Sequence, residues 1–155
     1  MVAKMDTNSL TFQQLFRPGS YSNGCTVAER CSIDFLINER SLLIALVTAA
    51  GDHSDYMGCF VKGLPEPNNL SNSRLLLRDH AETESGRILL YLCPECGDIG
   101  CGSYSVHVRQ NDDCFTWESF AYENGYEEPL IIEGVGPFTF EKHAYEAAIN
   151  DAARI

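Results

Sequence analysis

The sequence has few basic residues. It contains 11 Lys and Arg against 22 Asp and Glu in 155 residues, which gives a formal net charge of −11 at pH 7. A chain this acidic repels phosphate backbones, so the charge excludes non-specific nucleic-acid binding. It disfavours an anionic membrane surface for the same reason. The charge instead favours a basic protein as the partner.

Long apolar segments are also lacking. Residues 1–11 contain one lysine and no apolar run, which is unlike a signal peptide. The longest apolar stretch, residues 42–50, is much shorter than the ~20 residues that cross a bilayer. We therefore expect a cytoplasmic protein without membrane contact.

The cysteine count does not suit a disulfide framework. The chain has 7 cysteines, an odd number, and no secretion signal, so we expect reduced thiols or metal ligands. The strongest local motif is Cys93-Pro94-Glu95-Cys96-Gly97, a knuckle that is typical of half a zinc site, and Cys101 is placed to add a third ligand. A second Cys-x-x-Cys is missing. The fourth ligand would therefore come from Cys59, His107 or Cys114.

The motif has two other interpretations. A tight connection between strands can hold buried free thiols without any metal. A redox Cys-x-x-Cys begins a helix that activates one thiol, whereas glycines and a strand follow this motif. A zinc- or thiol-dependent enzyme, or a zinc-binding adaptor, centred on Cys93, Cys96 and Cys101 remains the alternative function.

Length and patterning predict one α+β domain. Residues 1–30 are turn-rich and are expected to form a partly irregular tail, and residues 31–155 a single domain. Strands are predicted at residues 31–37, 56–61, 87–92, 103–108 and 114–120. Helices are predicted at residues 42–50, capped by Ser41 and ended by Gly51, at residues 69–77, and after Thr139 as N-cap. This pattern indicates an antiparallel sheet with two or three helices, the last of them C-terminal.

Basic residues and histidine are absent from one long segment, residues 110–141. That segment holds eight acids, namely Asp112, Asp113, Glu118, Glu123, Glu127, Glu128, Glu133 and Glu141. It also holds seven aromatic residues: Phe115, Trp117, Phe120, Tyr122, Tyr126, Phe138 and Phe140. Aromatic residues interleaved with unopposed acids suit a surface that grips a basic protein.

The other interpretation of this segment is a buried aromatic core with solubilising acids. Strand alternation turns Trp117 to the same side as Phe115, and two such rings on one face favour the core. The predicted partner-binding residues are Glu118, Tyr122, Glu123, Tyr126, Glu127 and Glu128.

The four histidines are scattered and no catalytic signature surrounds them, so we expect a protein that is not an enzyme and needs no cofactor beyond the zinc alternative.

Four linked motifs resemble a family of small bacterial proteins of unknown function, some of them loosely labelled oxidoreductases. The similarity covers the chain from about residue 31 onward. The motifs are Cys93-Pro-Glu-Cys-Gly-Asp-Ile-Gly-Cys-Gly102, Trp117-Glu-Ser-Phe120, Tyr122-Glu-Asn-Gly-Tyr126 and Gly134-Val-Gly-Pro-Phe-Thr-Phe140. The label implies little, because neither a flavin nor a nicotinamide motif is visible.

The size, the acidity and the missing catalytic signature resemble a second group, the immunity proteins of bacterial toxin systems such as contact-dependent growth inhibition. This resemblance is one of type and transfers no individual residue. It leads to the expectation of a small acidic binding protein that neutralises a basic, nuclease-like toxin domain by occluding its active surface.

Overall fold

The computed structural model describes residues 7–22, 25–27, 29–94 and 102–155, with the backbone alone described at residues 20–22 and 25–27. The described elements are β1 (Leu10–Arg17), β2 (Ser20–Ser22), β3 (Cys25–Val27), β4 (Arg30–Ile37), β5 (Arg40–Ser41), α1 (Leu42–Ala50), β6 (Met57–Gly58), α2 (Pro65–Leu75), β7 (Ile88–Leu92), β8 (Ser103–Gln110), β9 (Cys114–Glu123), β10 (Leu130–Ile131), β11 (Phe138–Glu141) and α3 (Lys142–Ala152). The predicted class, α+β with antiparallel strands and a C-terminal helix, is confirmed.

The main sheet is antiparallel and has the order β10-β9-β8-β7-β6. β9 is its longest strand, and β10 and β11 pair with different halves of its outer edge. The predicted strand at residues 114–120 therefore exists and extends to Glu123. The predicted strand at residues 56–61 is shorter than expected, because only β6 and an isolated bridge between Val61 and Ser32 form there.

A second antiparallel sheet has the order β1-β4-β5. The segment expected to form a partly irregular tail, residues 1–30, contains a strand that the sequence did not predict: β1 pairs with β4 along its full length, from Leu10 opposite Ile37 to Arg17 opposite Arg30. The two sheets come close at Gly58, where a Cβ atom would overlap the carbonyl of Ile33. Glycine is required at this crossing because no side chain fits between the two backbones.

The helices follow local signals to different degrees. α1 has the predicted bounds: the hydroxyl of Ser41 accepts a hydrogen bond from the Ile44 amide at 3.0 Å, and Gly51 ends the helix in the left-handed conformation. α2 begins earlier than predicted, at Pro65. The N-cap of α3 is Glu141 instead of Thr139, because residues 138–141 pair with β9 before the helix starts.

The core joins both sheets to α3. Trp117 is fully buried, as predicted, and its ring meets Phe35, Phe140 and Tyr145 at centroid distances of 5.3, 5.3 and 6.0 Å. The indole Nε1 donates to the Tyr145 hydroxyl at 3.0 Å, and that hydroxyl donates to the Leu75 carbonyl at 2.6 Å. None of the described helices has the length and apolar character that crossing a membrane requires.

Candidate functional site

The candidate site surrounds the C-terminal end of β9, where the chain turns into β10. Tyr122 and Glu123 are neighbours there, and strand alternation sends their side chains to opposite faces of the sheet. The segment of residues 124–133 then returns along the edge, with Leu130 opposite Tyr122 and Ile131 opposite Ala121. Two concave features result, one on each side of this edge.

The first feature is an acidic cleft with a volume of about 360 Å³. Five glutamates line it, and its lining contains no basic residue. We define the acidic cleft by its lining residues Glu82, Thr83, Glu84, Ser85, Glu123, Gly125, Glu127, Glu128 and Pro129. Carboxylates in a concave surface reinforce one another's field, so the cleft attracts positive charge.

Glu123 lies at the floor of the acidic cleft and differs from the exposed steering acid that the sequence predicted. Its side chain accepts a hydrogen bond from the Ser85 hydroxyl at 2.8 Å and another from the Ser105 hydroxyl. The residue is 5 % exposed. Because it is buried and accepts these two hydrogen bonds, the Glu123 carboxylate links β8, β9 and the loop before β7. It is therefore not available to contact a partner.

Glu82 is a second partly buried carboxylate of the acidic cleft. Its Oε1 accepts a hydrogen bond from the Leu89 amide at 3.2 Å, and its Oε2 lies 3.5 Å from the Arg74 guanidinium. Burial raises the pKa of Glu82 above its ordinary value, and the Leu89 bond and Arg74 oppose that rise. The cleft thus contains an acid that is unusually easy to protonate.

The rim of the acidic cleft presents the predicted contact residues most openly. Tyr126 is 84 % exposed, and Glu127 and Glu128 are exposed beside it. The side-chain oxygen of Asn124 accepts hydrogen bonds from the amides of Tyr126 at 2.9 Å and Glu127 at 3.0 Å. This turn fixes the backbone and holds the aromatic ring outward.

β10 adds two apolar residues that sequence reasoning missed. Leu130 is 62 % exposed and Ile131 is 53 % exposed, whereas Ile132 is buried. The available signal was the apolar run after Pro129 within an otherwise acidic segment. An exposed apolar pair on an edge strand is typical of an interaction surface.

The second feature, which we call the β10 groove, has a volume of about 380 Å³. It runs between β10 and the C-terminal end of α1. Its lining residues are Ala49, Ala50, His53, Tyr122, Leu130, Ile131, Ile132 and Glu133. Most of these side chains are apolar or aromatic, and Glu133 is the only acidic residue of the lining.

An aromatic stack forms one wall of the β10 groove. The His53 imidazole stacks on Tyr122, at a centroid distance of 4.7 Å and 5° between planes, and on Tyr56, at 4.8 Å and 20°. The Tyr104 hydroxyl donates to the Asp52 carbonyl at 2.6 Å, which fixes the backbone just before His53. His53 has a left-handed φ of 72°, and this conformation turns its ring into the stack.

The hydroxyl groups of the stack lie in a crowded environment. Burial, with Asp52 and Tyr122 nearby, raises the pKa of Tyr104 to about 12. Burial is also the main cause of a raised pKa at Tyr56, and the neighbouring Tyr122, Tyr104 and Cys93 raise it further. At Gly102, with φ of 93°, a Cβ atom would overlap the hydroxyls of Tyr56 and Tyr122. The motif that begins at Cys93 therefore starts and ends beside this stack.

The remaining predicted contact residue, Glu118, is paired. Its carboxylate lies 3.1 Å from the Arg109 guanidinium across the β8–β9 pair. This pairing reduces its value for steering a basic partner, because Arg109 offsets its charge.

The predicted metal ligands are only partly described. Cys93 is half-buried directly after β7, and Cys96 and Cys101 lie outside the described residues. Leu92, directly before Cys93, pairs with Ser103, and Ser103 pairs with Glu123. Cys114 is therefore at the opposite end of β9 from Cys93, roughly 30 Å away at the usual rise of a strand. Two ligands of one zinc ion lie within a few ångströms of each other, so Cys114 does not join Cys93 in one site.

The other two candidates for a fourth ligand are engaged elsewhere. Cys59 is buried in the hydrophobic core, and burial raises the pKa of its thiol well above the usual range. His107 places its Nε2 3.0 Å from the Ser85 carbonyl. In the part of the chain that the structure describes, no three His, Cys, Asp or Glu side chains are grouped as a metal site.

Comparison of the chain with protein-family models, with curated proteins and with solved structures finds no match. The acidic cleft, the β10 groove and the edge between them are therefore the features of the molecule that indicate a function.

Proposed function

We propose that this protein is a small acidic binding protein of the cytoplasm that neutralises a basic, nuclease-like toxin domain by covering its active surface. One observation carries the proposal: the exposed apolar residues Tyr126, Leu130 and Ile131 follow one another along the edge of the sheet, with Glu127, Glu128 and Glu133 exposed between and beside them. The other acids of the acidic cleft lie next to this edge.

The arrangement of apolar and charged groups suits a protein partner. Interfaces depend on a few aromatic or apolar anchors that lose all contact with water, and the surrounding polar rim excludes water from them. Tyr126, Leu130 and Ile131 are suitable anchors. Exposed carboxylates at the rim act mainly on the association rate and on the choice of partner.

The basic character of the partner follows from the charge of the site. A protein of net charge −11 whose acidic cleft is lined by five glutamates and no basic residue repels acidic partners over several ångströms and attracts basic ones. A nuclease uses a basic surface to hold phosphate groups, so an acidic protein can take the place of its substrate. Occlusion of this kind requires no catalytic residue in the inhibitor.

The proposal predicts that a gene adjacent to that of this chain encodes a nuclease-like toxin domain, and the test uses that domain. Its cleavage of nucleic acid is measured with increasing amounts of the purified chain. We expect complete inhibition at about one chain per toxin, and about tenfold weaker binding by the Glu127→Gln, Glu128→Gln double variant, which is the loss expected for about 1.4 kcal/mol.

The matched control removes the same charge at the other end of β9. Asp112 and Asp113 are exposed in the β8–β9 turn, and the Asp112→Asn, Asp113→Asn double variant has the same net charge as the test variant. We expect this control to bind like the unmodified chain. Equal weakening in both variants would show a non-specific charge effect, and a toxin fully active in excess chain would contradict the proposal.

A further inference from the structure

The β10 groove is a small cavity with an unusual set of walls. At about 380 Å³ it is near the lower limit of ligand-sized pockets, large enough for one long side chain and too narrow for a helix. Leu130 and Ile131 form one side, and the aromatic rings of His53 and Tyr122 form another. Such walls suit the apolar stem of a bound group.

The charge at the β10 groove is negative. Glu133 is exposed at its edge, and no ion pair or hydrogen bond engages its carboxylate among the residues that the structure describes. Ala49 and Ala50 belong to the last turn of α1, which contains no basic residue. The C-terminal end of a helix carries a partial negative charge of about half an electron, and here no side chain of that turn offsets it.

These observations select a cation on an apolar stem. We propose that the β10 groove receives an arginine side chain of the basic partner, with its guanidinium at Glu133 and its aliphatic stem against Leu130 and Ile131. This inference rests on the proposed function for the identity of the partner, and it names the group by which that partner is anchored.

Arginine fits these walls better than lysine. A guanidinium is planar and more weakly hydrated than an ammonium group, so it enters an apolar and aromatic environment at a smaller cost. It also presents two parallel N–H groups that a single carboxylate accepts together. The ammonium of lysine offers one compact charge and retains its water more strongly.

The test titrates the full chain with capped tripeptides, without any toxin. The probes are acetyl-Ala-Arg-Ala-amide, its lysine counterpart and its citrulline counterpart, a neutral analogue of arginine, and the readout is the NMR shifts of the His53 and Tyr122 rings. We expect saturable, millimolar binding of the arginine peptide and about fivefold weaker binding of the lysine peptide. The citrulline peptide should not saturate.

Two variants locate the binding. Glu133→Gln should weaken the arginine peptide about fivefold. Asp112→Asn removes one charge at the other end of β9 instead and should leave the titration unchanged, and both exposed substitutions should leave the thermal midpoint unchanged. Equal binding of citrulline, an unchanged affinity in Glu133→Gln, or shifts confined to Ser85 and Ser105 would overturn the inference.

The titration and the nuclease assay fail separately. If the chain inhibits the toxin but its β10 groove does not bind the arginine peptide, the proposed function stands and the arginine anchor is excluded. Binding of the arginine peptide by a chain that inhibits no toxin would leave the groove assignment intact and remove the proposed function.

Discussion

Tyr122 and Glu123 are adjacent in β9 and serve two different surfaces. The Tyr122 ring stacks on His53 at 4.7 Å and lines the β10 groove, whereas the Glu123 carboxylate accepts two serine hydroxyls at the floor of the acidic cleft. A single strand end therefore positions both features. Because side chains alternate along a strand, a one-residue slip of β9 would exchange the two and destroy both.

The first prediction concerns Tyr122. Tyr122→Ala removes the outer ring of the stack on His53 and should lower the free energy of unfolding by about 2 kcal/mol, since the ring is only half-buried. Tyr122→Phe keeps the ring and should cost about 1 kcal/mol or less. Urea unfolding of both variants checks this, and equal losses would show that the hydroxyl, not the stack, stabilises the fold.

The second prediction uses Glu82. Its pKa is raised in the folded state, mainly by burial, above the unfolded value of about 4.3. Its contribution to stability is therefore fully present below that value and is lost as the pH rises through the folded pKa. Glu82→Gln lacks this titration. Its free energy of unfolding, relative to that of the unmodified chain, should therefore increase as the pH rises above about 4.3.

The check on Glu82 is a series of unfolding experiments with both proteins across the acidic and neutral range. Only the difference between the two proteins is informative, because the other acids titrate in both. A difference that changes in the opposite direction with pH would mean that Arg74 and the Leu89 amide outweigh burial.

The third prediction concerns Asp34, which is buried in β4. Its carboxylate accepts hydrogen bonds from the Tyr91 hydroxyl at 2.6 Å, the Ser41 hydroxyl at 2.5 Å and the Leu43 amide at 3.3 Å. Asp34→Ala leaves these donors without their acceptor and should cost about 3 kcal/mol or more. Asp34→Asn retains one acceptor oxygen and should cost less, and thermal melting of both variants measures the difference.

Local signals in the sequence account for much of the fold. α1 was predictable because Ser41 and Gly51 stop the helix at both ends by local hydrogen bonds and backbone conformation. The sequence does not predict β1, because none of its side chains is fully buried and the neighbouring Gln13 and Gln14 are both exposed. Its apolar residues therefore do not recur at every second position. Only its pairing with β4, a non-local contact, makes it a strand.

The candidate site was predictable in part. The acids and Tyr126 follow from composition, because no basic residue interrupts residues 110–141. The burial of Glu123 depends on Ser85 and Ser105, which come from other elements, and no local pattern indicates it. The stack of His53 on Tyr122 likewise joins distant segments, so the sequence shows His53 only as a polar loop residue.

The last prediction compares two aromatic residues of the acidic segment, residues 110–141, to which the sequence assigns different places: Trp117 in the core and Tyr126 on the surface. Trp117 is fully buried and donates to Tyr145, so Trp117→Ala should lower the free energy of unfolding by about 3–5 kcal/mol. Tyr126 is 84 % exposed, so Tyr126→Ala should change stability by less than about 0.5 kcal/mol. Chemical unfolding gives both values.

Binding should show the reverse order. Tyr126→Ala removes an apolar anchor and should cost about 2 kcal/mol of affinity for the toxin domain, whereas Trp117→Ala, measured where it is still folded, should bind nearly as tightly as the unmodified chain. Titration calorimetry under conditions that keep both variants folded makes the comparison. If Tyr126→Ala binds normally and folded Trp117→Ala does not, the partner does not dock on the edge formed by residues 126–133, because Trp117 can influence binding only through the core beneath β9.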